Sequence, residues 1–498
     1  MAAPAPTPLW TAEEAAAATD GTAVGTWSAG NVVIDSRAVA TGDLFVALRG
    51  PNHDGHDYVA KALKAGAAAA MVQRRPAGLA ADAPLLEVPD TLAGLTALGR
   101  YARLRSAAQV IGVTGSVGKT GTKEMLALAL ATQGPTFATT GNLNNHIGVP
   151  LTLARMPATS LFAVVEMGMN HANEIRPLSR LAAPHVAVIT AVTDAHLESF
   201  RDIGGIADAK AEIFEGMEPS GTAVLNREDG QFARLLAHAR TAGLGRIWTF
   251  GRHESCDARL LDASLHATCS AVHAVIRGEV ISYSLSVPGR HWVMNSLAAL
   301  LAVRAVGGDI TQAARTLSTL HAPAGRGARR KVVPADGGAF LVIDESYNAS
   351  PAAVRAALSV LAASPVAAGG RRVLVLGDML ELGEDAPRLH AELAEAIAAA
   401  KVDLVHCCGP LCRHLYDALP KDLRGTWAEA SGGLTEAVLG GVAKGDVVLV
   451  KGSLGSRMKP IVEALYALDT AQAAPGGKVA SCKTSFDAVR SARAANNG

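Results

Sequence analysis

The residues best suited to chemistry form the glycine-rich segment Thr114–Thr120, Thr-Gly-Ser-Val-Gly-Lys-Thr, directly after an apolar run. Gly115 and Gly118 can adopt backbone angles closed to other residues, so the N–H groups of this segment can converge on phosphate oxygens. Lys119 adds a positive charge for the β- and γ-phosphates, and Thr120 offers a hydroxyl to Mg²⁺. Both residues would begin a helix, whose N-terminus attracts anions. The segment therefore predicts a site for a nucleoside triphosphate.

This phosphate-loop interpretation has one departure and one alternative. The strict pattern has a small residue five positions before Gly118, where this chain has Val113. The alternative is an ordinary glycine-rich turn between a strand and a helix, but the complete strand, loop and helix context favours phosphate binding. The loop does not identify the reaction, because kinases, switches, motors and ligases all use it.

Three further residues stand where a nucleotide site could use them. Glu166 directly follows the apolar run Phe162–Val165, and a carboxylate at a strand end can hold Mg²⁺, with helix capping as the alternative. His196 lies just past the next apolar strand and could ligate a second metal or position a substrate group, although a lone histidine is more often structural. Lys210, taken alone, is a solvated helical lysine.

A second pair of carboxylates ends a later apolar run. Asp344 and Glu345 follow Phe340–Ile343, Asn348 supplies turn chemistry, and Pro351 begins a helix. An acid at a strand end can hydrogen-bond a ribose. Helix capping explains the same residues equally well, so both interpretations stay open at the level of sequence.

The elements that must position these residues follow from length and hydrophobic runs. A chain of 498 residues should hold about three domains, and short apolar runs separated by helical stretches are typical of parallel sheets covered on both faces. We predict an α/β protein with a small N-terminal α/β domain, a central phosphate-loop domain built on a parallel sheet, and a C-terminal Rossmann-like domain. The predicted boundaries are 1–105, 106–322 and 323–474, followed by a disordered tail at 475–498.

The clearest elements of this pattern are runs of consecutive apolar residues and one alanine-rich helix near 58–70. The predicted strands are 42–48, 69–72, 162–165, 185–189, 222–225, 246–250, 340–343, 372–376, 402–406 and 446–450.

Charge and hydropathy exclude several partner classes. Lys+Arg number 46 and Asp+Glu 45, so the chain lacks the basic surface that nucleic acids need. No apolar run reaches the ~18 residues of a membrane span, and the N-terminus lacks the basic start and apolar core of a signal peptide. Cys407, Cys408 and Cys412 lack a fourth ligand at a familiar zinc spacing, so we expect reduced cysteines in a cytoplasmic protein.

Taken together, the motifs resemble the Mur ligase family, and the match runs in order from about residue 32 to 465. The segments that carry the resemblance are Asp35–Arg37, Gly42–Leu48, Thr114–Thr120, Thr140–Leu153, Glu166–His171, Ala195–Glu198, Ala209–Glu212, Gly289–His291 with Asn295, Asp344–Pro351, Gly377–Gly383 and Lys451–Ser453.

Within that family, three runs resemble the enzymes that add D-alanyl-D-alanine to UDP-N-acetylmuramoyl-tripeptide: Gly-Asn-Leu-Asn-Asn, Ser-Tyr-Asn and Gly-Asp-Met-Leu-Glu-Leu-Gly. The Asp-Asn-Pro-Arg motif of the preceding, tripeptide-forming ligase is absent from the sequence. The resemblance implies a bacterial cytoplasmic ligase of peptidoglycan biosynthesis that uses ATP and Mg²⁺. It also implies the UDP-linked tripeptide and D-alanyl-D-alanine as partners, no nucleic acid, and a monomer.

The resemblance also implies catalytic and metal-binding roles. Lys119 and Thr120 would bind the ATP phosphates and Mg²⁺, and Glu166 would hold Mg²⁺. His196 would help to place the second metal. Lys210 matches the family lysine that CO₂ carbamylates, which turns a cation into an anionic metal ligand and replaces the interpretation of this residue as a solvated lysine.

Further roles concern the nucleotide and the peptide precursor. Ser116 and the loop glycines would lie on the phosphates together with Arg326, Asn295 would face adenine, and Asp344 or Glu345 would meet the ribose. The expected substrate-binding residues, two of them near the uridine nucleotide, are Ser36, Arg37, Asn142, Asn145, Tyr347 and Asn348.

Three positions depart from the family pattern. Gly121 stands where a Thr is usual, Trp292 replaces an Asn after the His, and Glu345 stands where a second Asp is usual. The first departure could loosen the start of the helix, and the third could change which acid meets the ribose. None of them removes a phosphate or metal group.

The sequence leaves two alternative functions open, and it does not identify the general base. One rival is a related ligase that joins a different amino acid or dipeptide to the same precursor, and the other is a phosphate-loop switch or ATPase without ligase chemistry. The general base for the attacking amine is unidentified, with His171 as a candidate beside proton loss to solvent.

Overall fold

The computed structural model describes residues 8–194, 197–335 and 337–470, and it confirms an α/β protein of three domains. His196 and the predicted tail at 475–498 therefore lie outside the described residues. Each domain is built on one main β-sheet, and short 3-10 turns connect some of the elements. These turns span Gly55–Tyr58, Leu197–Ser199, Glu212–Gly216, Leu317–Thr319, Gly383–Asp385, Lys421–Leu423 and Leu454–Ser456.

The N-terminal domain is small and its elements are short. They are β1 (Trp10–Thr11), α1 (Ala12–Thr19), β2 (Thr22–Val24), β3 (Ser28–Ala29), β4 (Asn31–Val33), β5 (Asp43–Val46), α2 (Val59–Lys64), β6 (Ala69–Val72), β7 (Leu85–Glu87) and α3 (Thr91–Arg105). The main sheet has the order β2-β7-β6-β5-β4, and β1 pairs with β3. The strand expected at 69–72 is confirmed, whereas α2 is shorter than the helix expected near 58–70.

The central domain holds a nine-stranded sheet covered by helices. Its elements are β8 (Gln109–Thr114), α4 (Lys119–Ala131), β9 (Thr136–Ala138), α5 (Gly148–Ala154), β10 (Phe162–Glu166), α6 (Ile175–Ala182), β11 (Val186–Ile189), α7 (Ile203–Ala211), β12 (Thr222–Asn226), α8 (Phe232–Thr241), β13 (Arg246–Gly251), β14 (Ala258–Leu265), β15 (Ser270–Ile276), β16 (Glu279–Leu285), α9 (Arg290–Ala305) and α10 (Ile310–Thr316). The strand order is β16-β15-β14-β13-β12-β11-β8-β10-β9.

Strands β8 to β14 pair in parallel, and β8, β10, β11, β12 and β13 among them were predicted. The sequence interpretation missed β9 and β14, and also the antiparallel extension that β15 and β16 add. Residues of β15 alternate strictly between buried and half-buried, because one face packs on the core and the other faces solvent. Such alternation contains no long apolar run, so a search for buried parallel strands passes over it.

The C-terminal domain is a six-stranded, mainly parallel sheet. Its elements are β17 (Ala328–Val332), β18 (Phe340–Glu345), α11 (Pro351–Ala363), β19 (Arg372–Gly377), α12 (Ala386–Ala391), α13 (Leu393–Ala399), β20 (Leu404–Cys408), α14 (Cys412–Ala418), β21 (Arg424–Ala428), α15 (Gly432–Gly441), β22 (Val447–Lys451) and α16 (Lys459–Ala467). The strand order is β17-β18-β22-β19-β20-β21, and only β17 is antiparallel to its neighbour among these strands.

The first two domains share one hydrophobic core. Leu151 and Ala154 of α5 belong to the same buried cluster as Trp10 and the N-terminal sheet. The Trp10 indole N–H donates to the Ala154 carbonyl at 2.9 Å, and Arg155 Nε donates to the Val32 carbonyl at 2.6 Å. The N-terminal domain is therefore packed firmly against the central one.

The C-terminal domain meets the central domain differently. A cavity of about 450 Å³ lies between the two domains. A loop contact also crosses the boundary, where the Glu198 N–H donates to the Glu381 carbonyl at 3.2 Å. Among the helices of the described residues, none combines the length and apolar character needed to cross a bilayer.

Candidate active site

The cavity between the central and C-terminal domains brings together most of the predicted site residues. It opens at the carboxyl ends of β10 and β11 on one side and of β18 and β22 on the other, where ligands of open α/β sheets bind. The predicted residues that line it are Ser116, Gly118, Lys119, Asn142, Glu166, Asn295, Arg326, Glu345, Tyr347 and Asn348.

The phosphate loop owes its shape to two glycines. Gly115 has a φ of +147° and Gly118 one of +87°, both in the region that favours glycine. A Cβ on Gly115 would lie 2.0 Å from Thr190 Oγ1, and one on Gly118 would lie 2.7 Å from Asn295 Nδ2. Ser116 N–H donates to the Ala191 carbonyl at 2.7 Å, which fixes the loop to the segment after β11. No residue with a side chain fits either glycine position without displacement.

Lys119 lies at the start of α4 and is folded back onto the loop. Its Nζ donates to the Gly115 carbonyl at 2.6 Å. The pKa of Lys119 is lowered to about 8, mainly by burial. The charge of Glu166 opposes this shift, and the charge of Arg326 adds to it. The ammonium is thus held in a site where its charge is costly until an anion arrives.

Glu166 is a buried carboxylate at the end of β10, 1% exposed. Its Oε1 accepts hydrogen bonds from Asn144 Nδ2 at 2.8 Å and from Thr120 Oγ1 at 3.2 Å. Its Oε2 is buried and has no hydrogen-bond partner among the described residues. An anionic oxygen in that condition is expected to have a cationic ligand, because an unpaired buried charge is expensive.

Lys210 in α7 is also 1% exposed. Burial lowers its pKa well below the usual value, and the nearby Lys119 lowers it further. Among the described residues no carboxylate pairs with its ammonium. Because a fully buried lysine is rarely left as an unpaired cation, this environment favours a neutral amine or a chemically modified one.

Lys123, four residues after Lys119, is a buried residue that the sequence interpretation did not single out. Its Nζ donates to the Thr139 carbonyl at 2.8 Å and pairs with Glu124 Oε1 at 2.5 Å. Thr139 Oγ1 in turn accepts from the Glu166 backbone N–H at 3.1 Å. Lys123 therefore connects the phosphate-loop helix to the strand end that carries Glu166.

The two acids at the end of β18 have different surroundings. Asp344 is buried, and its oxygens accept from the Gly325 N–H at 2.8 Å and from the Ser346 hydroxyl at 2.6 Å. Glu345 lines the cavity, where Lys451 Nζ lies 3.2 Å from its Oε2. Asp344 is thus occupied in shaping the loop, and Glu345 is the acid that a ligand can reach.

Arg326 lies across the cavity from the phosphate loop. Its guanidinium stacks on the Tyr347 ring, 4.1 Å from the centroid. Tyr347 is fixed in turn by its backbone N–H, which donates to the Gly325 carbonyl at 3.1 Å. The arrangement holds a permanent positive charge on the C-terminal side of the cavity.

Other predicted residues lie elsewhere. Arg37 is exposed in the N-terminal domain, where its Nη2 lies 2.7 Å from Asp35 Oδ2, and Ser36 is its neighbour. Asn145 Oδ1 accepts from the Gly148 N–H at 2.9 Å in the turn before α5. Asn144, which was not predicted, donates to Glu166. The exposed His171 does not line the cavity.

The buried group Asp378, His390 and Cys412 has the side chains of a metal site but already fills its hydrogen bonds. His390 Nε2 accepts from the Met379 N–H at 2.9 Å, and Nδ1 faces the Ala386 carbonyl at 2.6 Å. Asp378 accepts from the Cys412 N–H at 2.7 Å. These contacts fix the loop after β19 within the C-terminal domain.

Comparison with known protein families gives three matches along the chain. Residues 29–103 match the Mur ligase family catalytic domain, residues 113–303 the Mur ligase middle domain, and residues 328–454 the Mur ligase glutamate ligase domain. The three matches follow the three sheets in order.

Individual relatives cover nearly the whole chain. The UDP-N-acetylmuramoyl-tripeptide–D-alanyl-D-alanine ligases of Bacillus subtilis and Escherichia coli are each 35% identical over 438 residues, which is 87% of this chain and 92% and 93% of theirs. A MurF crystal structure from Acinetobacter baumannii superposes with a TM-score of 0.80 at 30% identity, covering 93% of this chain and 99% of that one. The MurF ligase of Thermotoga maritima in complex with ADP gives 0.73 at 28% identity, covering 89% and 98%.

Proposed function

This chain belongs to the Mur ligase family, and we propose that it joins D-alanyl-D-alanine to UDP-N-acetylmuramoyl-tripeptide at the expense of ATP. The product would be the UDP-N-acetylmuramoyl-pentapeptide precursor of peptidoglycan, with ADP and phosphate released. The observation that carries the proposal is that the phosphate loop and Glu166 face Arg326 and Glu345 of another domain across a single cavity. Relatives of this length and similarity support the same acceptor and donor.

ATP would lie with its phosphates on the loop of Gly115 to Thr120. The loop N–H groups and the N-terminus of α4 favour phosphate oxygens, and Lys119 would exchange the Gly115 carbonyl for the β- and γ-phosphates. Arg326 supplies a second cation from the opposite side. Asn295 and Glu345 line the same cavity and would contact adenine and ribose.

Mg²⁺ fits the donors that the chain offers. Glu166 Oε2 is a buried anionic oxygen without a partner among the described residues, and the Thr120 hydroxyl lies beside the same carboxylate. Hard oxygen donors of this kind suit Mg²⁺. When bound, the ion would neutralise charge that develops on the phosphates.

Lys210 would contribute to a second cation only as a carbamate. Its lowered pKa favours the neutral amine, which is the form that reacts with CO₂, and its burial next to Lys119 disfavours the cation. His196, which lies outside the described residues, is the proposed second ligand by family resemblance.

Ligation needs an activated carboxyl group. The terminal carboxylate of the tripeptide would attack the γ-phosphorus, the bond to ADP would break, and the resulting acyl phosphate would receive the amine of D-alanyl-D-alanine and release phosphate. An acyl phosphate hydrolyses in water, so a cavity enclosed by two domains protects it. Tyr347 and Asn348 on the C-terminal side and Asn142 on the central side lie where they can contact the joined substrates.

We assign the three domains as follows. Residues 1–105 would bind the UDP-linked precursor through Ser36 and Arg37, 106–322 would bind ATP, and 323–474 would complete the ligase site. The proposed setting is the bacterial cytoplasm, where the enzyme would act as a monomer in cell-wall synthesis and thereby in cell shape and division.

Phosphate release tests this function directly. Purified protein is incubated with Mg-ATP, UDP-N-acetylmuramoyl-tripeptide and D-alanyl-D-alanine, and each compound is omitted in turn. Phosphate release is measured, and the product is identified by its mass. We expect phosphate release that requires all three compounds and yields the pentapeptide. Release from ATP alone, unchanged by the others, would instead indicate a nucleotide switch, and release with another amine would indicate a sister ligase.

A further inference from the structure

Trp292 and Gly121, two positions that depart separately from the family pattern, are in contact. A Cβ on Gly121 would lie 2.8 Å from Trp292 Cζ3 and 3.0 Å from Cη2. Such distances are shorter than side-chain carbons tolerate, so the indole occupies the space that any larger residue at position 121 would fill. The two residues therefore form one unit, in which the glycine admits the ring.

The contact follows a regular register between two helices. On α9, Trp292 and Asn295 are three residues apart and thus on one face, and on α4 the partners Gly118 and Gly121 are also three apart. Asn295 lies over Gly118, and Trp292 lies over Gly121. The indole consequently extends, by one helical turn, the surface that Asn295 presents at the phosphate loop.

The other end of the indole points toward the C-terminal domain. Trp292 Nε1 is 4.0 Å from the Cβ position of Gly327, and Glu345 Oε1 is 3.3 Å from the same position. Trp292 lines the cavity and is 5% exposed. The indole N–H makes no hydrogen bond to another described residue, and its nitrogen is not fully buried, so it is open to a ligand in the cavity.

We propose that Trp292 is a nucleotide-binding residue whose ring packs against the nucleoside of bound ATP, with the indole N–H available to it beside Glu345. The inference rests on the proposed function, because that function places the triphosphate on the adjacent loop. Most of the ring is packed in the central core, and the part that reaches the cavity is an apolar edge with one donor next to an anion site and an amide, which is suited to contact a purine nucleoside. Gly121 is then required for nucleotide affinity, because a larger residue at this position would displace the Trp292 ring.

Intrinsic fluorescence during ADP titration tests the proposal, with W248F as the matched control. Trp248 stacks on Arg277, 4.7 Å from the ring centroid, and does not line the cavity. Wild-type protein and W248F should show the same ADP-dependent fluorescence change, and W292F should lose it. The ADP dissociation constant of W292F should rise about fivefold to tenfold, as expected when a base loses part of an aromatic surface. The KM for the UDP-linked tripeptide should stay within about twofold, because the change is confined to the nucleoside subsite.

A second variant, G121A, keeps the tryptophan and moves it. We expect weaker ADP binding in G121A, and a smaller effect of the same change in the W292F background, because the two sites are coupled. Equal effects in both backgrounds, or an ADP-dependent fluorescence change that survives in folded W292F, would overturn the proposal. If the wild-type protein bound no ADP and made no pentapeptide, the proposed function itself would fail, which is a distinguishable outcome.

Discussion

At the scale of single residues, the site contains buried charged groups that are shielded from water and are only partly paired with groups of opposite charge. Burial lowers the pKa of both Lys119 and Lys210, and Glu166 has an oxygen without a hydrogen-bond partner among the described residues. Such a site is costly when empty and becomes favourable when phosphates and a divalent cation bind. Two predictions test this electrostatic arrangement.

Replacing Glu166 with Gln should remove the charge and keep the shape. We expect kcat to fall by about 10² to 10³, since a metal-binding oxygen is lost from the site of phosphoryl transfer. The melting temperature of the ligand-free protein should stay the same or rise, because an unpaired buried anion disappears. Steady-state kinetics and thermal unfolding measure the two effects, and E166Q with full activity would contradict the metal assignment.

Nucleotide affinity should depend on pH through Lys119. In the ligand-free protein its pKa is about 8, and bound phosphates favour the protonated form, so ADP affinity should fall as pH rises through about 8. Stability should move the other way. The unfolded chain has a pKa near 10.5 and keeps its proton longer than the folded state, so this group's contribution to stability rises with pH between about 8 and 10.5.

Calorimetric titration of ADP from pH 6.5 to 9.5 measures this dependence. K119R is the control, because arginine stays charged throughout that range. A pH dependence in K119R equal to that of the wild type would assign the effect to another group.

At the scale of elements, helix α4 and strand β10 must keep a fixed relation, since one carries the phosphate loop and the other Glu166. Lys123 provides that connection through Thr139, from a fully buried position. Replacing it with Met keeps the volume and removes the bond. We expect kcat to fall about tenfold and the KM for ATP to change less, because Lys123 positions α4 relative to β10 and does not itself bind ATP.

Rates with ATP and with the UDP-linked tripeptide varied separately distinguish the two effects. K61M, which removes an exposed lysine on α2 of the N-terminal domain, is the matched control and should behave as the wild type. If K123M raised KM for ATP and left kcat unchanged, Lys123 would act on binding instead.

Sequence alone predicted the elements with the strongest hydrophobic signal. Strands with a continuous apolar run, such as β10, β11 and β12, and the helix starting at Pro351 are confirmed, because such runs and a proline at a helix start are local signals. The parallel strands β9, β14 and β21 were not predicted. Strands β15 and β16 were missed because their residues alternate. Lys123 was missed because its function depends on Thr139, and the distinction between Asp344 and Glu345 depends on which carboxylate faces the cavity. No local pattern contains those contacts.

At the scale of the whole molecule, the cavity lies between the central and C-terminal domains, so a relative movement of the two domains would open or close it. Glu198 and Gly383 face each other across the boundary, with 4.0 Å between Glu198 Cβ and the Cβ position of Gly383. That separation suits a disulfide. Oxidised E198C/G383C should therefore lock the two domains in the present arrangement.

If substrates enter and products leave by domain movement, the oxidised double variant should lose most of its turnover, and dithiothreitol should restore it. The single variants E198C and G383C control for the substitutions themselves, including the left-handed backbone at Gly383, whose φ is +63°. Full turnover with the disulfide shown intact by mass spectrometry would mean that catalysis needs no such movement.

The shared core of the first two domains also bears on how such enzymes can be recombined. Because Leu151 and Ala154 of α5 lie in the same apolar cluster as Trp10 and the N-terminal sheet, residues 8–105 are matched to this α5 surface. The C-terminal domain is joined to the central domain by one chain crossing near residue 322, by the loop contact between Glu198 and Glu381, and by the walls of the cavity. It shares no apolar cluster of this kind with the central domain among the described residues. A chimera that swaps the third domain with a relative's should fold, whereas one that swaps the first alone should expose mismatched apolar surface and aggregate. We therefore expect the first two domains to be exchangeable only together, and the C-terminal domain to be exchangeable by itself.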